Sequence, residues 1–210
     1  MKVSSTVVTD QKMKEKPILF SSDMVNVIRK GQKTQTRRPM KPQPREHDHL
    51  EFHSDDPEHC EWRNDPPHYY NVDGNQWCCS VCGEGVRFDG NSIYKSPYEI
   101  GDLLWVCEAW AEHWYRGEFE HYRYKADGIH PEDHVTWKPS IHMPREVARL
   151  FLFVKNIRVE KLHVISEKDA VAEGFRDIEQ FRWRWDEIYA KRGLGWTLNP
   201  WVWVFELEVK

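Results

Sequence analysis

The chain closes on Trp201-Val202-Trp203-Val204-Phe205-Glu206-Leu207-Glu208-Val209, which is apolar at five consecutive positions and then alternates. A strand with apolar residues on both faces is buried on both, so it requires a layer above and a layer below. With 210 residues, the chain is long enough for one such core and a sizeable insertion.

The rest of the chain supplies short elements to surround that strand. Lys16 to Phe20 is an extended run. Ser22 or Asp23 can cap a helix through about Lys30, with Met24, Val27 and Ile28 on one face and Gly31 ending it. Lys33 to Arg38 then reads as a polar strand stopped by Pro39. Gly101 and Asp102 form a turn into the strand Leu103 to Val106, and Ala148 to Leu162 is a long strand or a bent pair, with alternation at Ile157, Val159 and the flanking charges. Ser166-Glu167-Lys168-Asp169 has the form of a capping box and opens a short helix ending near Gly174. A third helix is expected from Phe181 to Arg192, with Ile178, Phe181, Trp185, Ile188 and Tyr189 at helical spacing. The sum is an α+β fold, a small, partly open β-barrel with a few short helices at its ends.

Residues 1–15 read as a flexible polar lead-in, and 16–210 as a single domain interrupted by an insertion over 40–98. The insertion is rich in Pro, His, Asp and Gly and has little periodicity. Something must hold a loop of that length together, and a metal is the obvious candidate. Cys79 and Cys82 form a knuckle of the C-x2-C kind, and Cys60 with one of His59 or His53 completes the most economical zinc set. Reduced cysteines in a loop are the competing reading. No organic cofactor is expected.

Five cysteines, an odd number, and the absence of an apolar leader in the first sixteen residues argue against a disulfide framework. With no apolar run long enough to span a bilayer, the expectation is a cytoplasmic protein with no membrane partner. Charge is unevenly spread. Lys12 to Arg45 carries ten Lys or Arg against Glu15 and Asp23, whereas Glu46 to Asp73 carries nine acids and five His against Arg63. A basic stretch beside an acidic one implies either two solvated surfaces or an anionic partner.

Within the basic stretch, the order helix, Gly31-x-Lys33-Thr34-x-Thr36-x-Arg38, later Gly101-Asp102-Leu103-Leu104, Ile165-Ser166-Glu167-Lys168-Asp169-Ala170 and the closing strand resembles the ASCH domain family of the PUA-like superfamily. Residues 16–20, 37–39, 137–145 and 199–203 are similar to segments of the larger members carried by phages and prophages. The likeness spans about 16–45 and 98–210. It implies a PUA-like barrel whose cleft suits RNA or a nucleobase. Small bacterial members are N4-acetylcytidine amidohydrolases, and their catalytic Lys, Thr and Glu fall on Lys33, Thr36 and Glu173. For a phage-encoded chain the resemblance implies the host cytoplasm.

Those residue types suit amide hydrolysis. Thr36 would be the nucleophile. Lys33 would be its base if its pKa is lowered, and Arg37 and Arg38 would help to lower it. Glu173, near a helix C-terminus, would be the proton donor. A straight strand, however, would place Lys33 and Thr36 on opposite faces. A second reading is a binding module for RNA or single-stranded nucleic acid, with Lys33, Thr34, Arg37 and Arg38 on phosphates and Trp105 or Trp110 stacking on a base. A third is a phage accessory protein that binds a host protein through its insertion. A polar edge strand with solvated bases is the plainest alternative. Cys107 reads as a buried small hydrophobe. The aromatic run Trp110, Trp114, Tyr115, Phe119, Tyr122 and Tyr124 reads as core and rim packing or as a stacking wall.

Overall fold

The structure, a computed structural model, describes residues 14–43, 69–71, 76–79, 85–87, 96–128 and 135–210. In chain order the elements are β1 (Glu15–Leu19), α1 (Ser22–Arg29), β2 (Gln35–Pro39), β3 (Tyr69–Asn71), β4 (Gln76–Cys79), β5 (Gly85–Arg87), β6 (Leu103–Cys107), β7 (Trp110–Tyr115), β8 (Glu118–Tyr124), β9 (Phe151–Lys161), α2 (Glu167–Ala172), α3 (Ile178–Tyr189) and β10 (Trp201–Val209). Five of the strands form the sheet order β1-β6-β9-β10-β2. Only β1 and β6 run parallel.

The closing strand takes the central place its sequence requires. β10 is flanked by β2 and β9, and residues 201–205 are all buried. Trp201, Trp203, Phe205 and Leu207 face the main core, together with Ile18, Leu104, Val106, Leu152, Val154 and Ile157. Val202 and Val204 face the other way, into a second core made by Leu162, Ile165, Ala170, Phe181, Trp185 and Tyr189. Each face therefore removes apolar surface from water at about 25 cal/mol per Å², which is why neither half of its pattern is polar.

The α+β class expected from the sequence holds. The sheet is open, because β1 and β2 lie at its ends and do not pair with each other, so the described strands form no closed barrel. A side chain spans the gap instead: Arg38 Nη2 donates to the Leu19 carbonyl at 2.9 Å. The stretch expected to be irregular contains three short strands, with β3 paired to β9 at Val159 and Arg158 and followed by β4 and β5. The aromatic run is a hairpin, β7 and β8, in a two-stranded sheet of its own. No helix among the described residues is long and apolar enough to cross a membrane.

Both short helices that frame the site end as their glycines dictate. At the end of α1, Gly31 (φ 70°) donates to the Ile28 carbonyl and Gln32 to the Val27 carbonyl. At the end of α2, Gly174 (φ 87°) donates to Val171 and Phe175 to Ala170. Each pair of bonds is a Schellman closure, which needs a left-handed residue at the turn. The expected capping box is present, with Asp169 N–H donating to Ser166 Oγ and Ser166 N–H to the Asp169 carboxylate.

Candidate functional site

The two Schellman turns bring Lys33 and Glu173 together. Leaving α1, the chain passes the C-terminus of α2, where Thr34 N–H donates to the Ala172 carbonyl at 2.9 Å. Lys33 Nζ then donates to the Glu173 carbonyl oxygen at 2.7 Å and to Glu173 Oε2 at 2.9 Å. The other carboxylate oxygen, Oε1, accepts from Arg37 Nη1 at 3.2 Å. Lys33, Thr36, Arg37 and Glu173 are each at most 4% exposed.

The strand problem raised by the sequence is resolved by register. β2 begins at Gln35, so Lys33 precedes the strand and is not bound by its alternation. Among the described strands β2 pairs with β10 alone, so no described strand occupies its other edge. Thr36, Arg37 and Arg38 all line a cavity of about 110 Å³ together with Lys33 and Glu173. Residues of both parities can line one cavity when it runs along an edge rather than a face. The Thr36 hydroxyl makes no hydrogen bond within the described residues, which leaves it available to a ligand.

Burial pushes the Lys33 ammonium below the ordinary lysine value. The Glu173 carboxylate opposes that shift, and Arg38 and Arg37 add to it. The arginines have the expected sign, but desolvation is the larger cause. Glu173, at the C-terminus of α2, shares its carboxylate between two cations, Lys33 and Arg37.

The guanidinium of Arg37, expected on a phosphate, is held by carboxylates. Its side chain is 0% exposed, and it is held by Glu160 through both Nε, at 3.0 Å to Oε1, and Nη2. Glu160 is also bonded to Arg158, which extends to Asp169, Gln35 and Glu206. This chain of buried charge lies across β2, β10 and β9, on the sheet face that α2 and α3 cover. Arg37 and Arg158 both sit opposite Val204, and Glu160 sits opposite Val202. Arg158 and Glu160 were legible in sequence only as charges flanking Ile157 and Val159. Their importance follows from which face the helices cover.

Arg38 is half-buried at the cavity rim, with its guanidinium 5.3 Å from the centre of the Phe20 ring. Thr34 is exposed and acts through its backbone, its carbonyl accepting from Leu207 N–H at 2.7 Å. Trp105 and Trp110 lie elsewhere, packed around Cys107, Met143 and Val147, and neither lines the cavity. The aromatic walls come instead from Phe20, Phe175, Phe181, Trp185 and Tyr189. Three of these are on α3, whose inward face could be read from helical spacing but whose proximity to Lys33 could not.

Cys107 is buried, and burial pushes its thiol up, as suits a core residue rather than a nucleophile. Of the zinc set, Cys60, Cys82, His59 and His53 lie outside the described residues, and for Cys79 only its place in β4 is described. No family model matches the chain, and neither a curated protein nor a solved structure matches it.

Proposed function

We propose that the cavity binds a nucleobase-containing ligand and hydrolyses an exocyclic amide of the N4-acetylcytidine kind, as the resemblance to ASCH domain proteins implies. One observation carries the reading. Lys33 and Glu173, separated by 140 residues, form a buried pair on the same cavity as an unbonded threonine hydroxyl. A purely structural ion pair needs neither the hydroxyl nor the cavity.

In this reading Lys33, kept as the free amine by the pKa lowering that burial causes, takes the Thr36 hydroxyl proton, and Thr36 Oγ1 attacks the acetyl carbonyl carbon. Collapse of the tetrahedral adduct breaks the carbon–N4 bond. The proton reaches N4 through the Lys33–Glu173 pair, and cytidine leaves. Water, deprotonated by the same lysine, then attacks the acetyl-threonine ester, releasing acetate and restoring the hydroxyl. Aromatic walls suit the base and keep bulk water out. The finer fold reading, a PUA-like barrel left open between β1 and β2, is part of the same proposal.

Incubation with N4-acetylcytidine tests it. Cytidine and acetate should form in equal amounts, and release should fall at least a hundredfold in Lys33→Ala, Thr36→Val and Glu173→Ala, the scale of losing a general base or a nucleophile. Absence of release, or release unchanged in these variants, would sink the proposal. Recognition without chemistry is the second reading. It is favoured by the enclosure of Thr36, only 2% exposed, since a ligand stopping at the rim would be held but not cut. Binding of cytidine derivatives without turnover would select it.

A further inference from the structure

The deep part of the cavity is used by the proposed chemistry, but its rim is not. Arg38 lines the rim with no carboxylate partner among the described residues. Its bonds are to the Leu19 carbonyl and the Phe20 ring. The same cavity is lined by Arg184 of α3, whose side chain is 28% exposed and, among the described residues, pairs with the half-exposed Glu187 on its own helix. Such exposed pairs exchange readily for a better anion.

The start of α1 lines the same cavity. Ser21, its N-cap, lines the cavity, and its hydroxyl is buried with no hydrogen-bond partner among the described residues. A buried hydroxyl without a partner costs about 1–3 kcal/mol, so a ligand oxygen in reach would be favoured. The Ser21 side chain does not cap α1, so the first N–H groups of that eight-residue helix remain free to face an anion. Asp23, the acid of the first turn, is exposed and does not line the cavity.

We infer that Ser21, Arg38 and Arg184 form an anion subsite at the cavity rim, and that the ligand is a nucleoside bearing a phosphomonoester rather than a free nucleoside. The identity of the base rests on the proposed function. The subsite rests on the rim itself. A cavity of about 110 Å³ holds a group the size of a base or its acyl substituent, so the sugar and its phosphate fall at the mouth. Guanidinium forks match phosphate geometry with two parallel bonds, and a hydroxyl adds a third donor.

Calorimetric titration of the full chain with cytidine and with cytidine 5′-monophosphate tests the subsite without requiring turnover. The monophosphate should bind about tenfold tighter or more, the scale of one or two charge-assisted hydrogen bonds. Inorganic phosphate should compete with it, and the advantage should shrink as salt rises. Arg184→Gln and Ser21→Ala should each reduce the advantage severalfold, and Arg38→Gln together with Arg184→Gln should abolish it. Because Arg38 also bridges β1 and β2, Arg38→Lys separates charge from folding: it should keep most of the advantage.

Equal binding of the two ligands, binding of neither, or an advantage that survives the double substitution would overturn the inference. So would a preference for an unphosphorylated oligonucleotide over the monophosphate. Hydrolysis of N4-acetylcytidine with no gain from a 5′-phosphate would remove the subsite and leave the proposed function standing. A phosphate advantage with no hydrolysis would do the reverse.

Discussion

Lys33 Nζ donates both to the carboxylate of Glu173, at 2.9 Å, and to the backbone carbonyl of the same residue, at 2.7 Å. One ammonium thus closes the C-terminus of α2 and neutralises the acid that caps it. At the negative end of a helix a cation is favoured, yet burial disfavours the charge. The net direction is a lowered pKa, and the group is poised to give up its proton.

That direction fixes a pH dependence. Between the lowered folded value and the ordinary lysine value, the unfolded chain holds the Lys33 proton and the native chain does not. The unfolded state then binds more protons, so stability rises with pH across that window. Urea denaturation of the wild type and Lys33→Met from neutral to alkaline pH should show the difference moving in favour of the wild type. Hydrolysis should rise on the same limb and level off below the ordinary lysine value. A flat difference would mean that Lys33 keeps its proton in both states.

Arg37 holds two buried carboxylates, Glu160 and Glu173, with no exposure of its own side chain. Arg37→Met should cost about 3 kcal/mol, because it leaves buried Glu160 with Arg158 and buried Glu173 with Lys33, one cation fewer for each. Adding Glu160→Gln should recover part of that loss, since one of the under-compensated charges is removed. Chemical denaturation of the single and double variants measures both effects.

Gly174 and Gly31 adopt similar left-handed conformations but differ in their surroundings. A Cβ on Gly174 would lie 2.8 Å from Val27 Cγ1 and 3.3 Å from Lys33 Cβ, whereas one on Gly31 would meet nothing within 4 Å. Gly31→Ala should therefore cost only the backbone strain, about 1–2 kcal/mol. Gly174→Ala should cost more and should also lower activity by displacing Lys33. Equal losses in stability and activity for the two variants would argue against this close contact.

The indole nitrogens of Trp105 and Trp110 are buried without partners among the described residues. Replacing either by Phe removes an unsatisfied donor worth about 1–3 kcal/mol and leaves a small void that costs a similar amount. Melting temperatures should change little. Cytidine binding should also be unaffected, because neither residue reaches the cavity. A selective loss of binding in Trp110→Phe would restore the stacking role that its sequence suggests.

Local chemistry in the sequence was enough to place several elements. The run 201–205 could only be a strand buried on both faces, and it became the centre of the sheet. Ser166 and Asp169 formed the capping box, and Gly31 and Gly174 ended their helices, because each motif is satisfied by bonds within a few residues. The segment holding Lys33, Thr36 and Arg38 stood out by its run of basic residues, not by local bonding. Only the tertiary structure decided the rest. Strand register set Lys33 before β2, so that it and Thr36 share a cavity. Packing of α2 and α3 over one face of the sheet buried Arg37 and committed it to Glu160 and Glu173. The same packing replaced Trp105 and Trp110 with Phe181, Trp185 and Tyr189 as the aromatic wall. Contacts such as Lys33 with Glu173 join residues far apart in the chain, and their free energy arises from burial that no local pattern encodes.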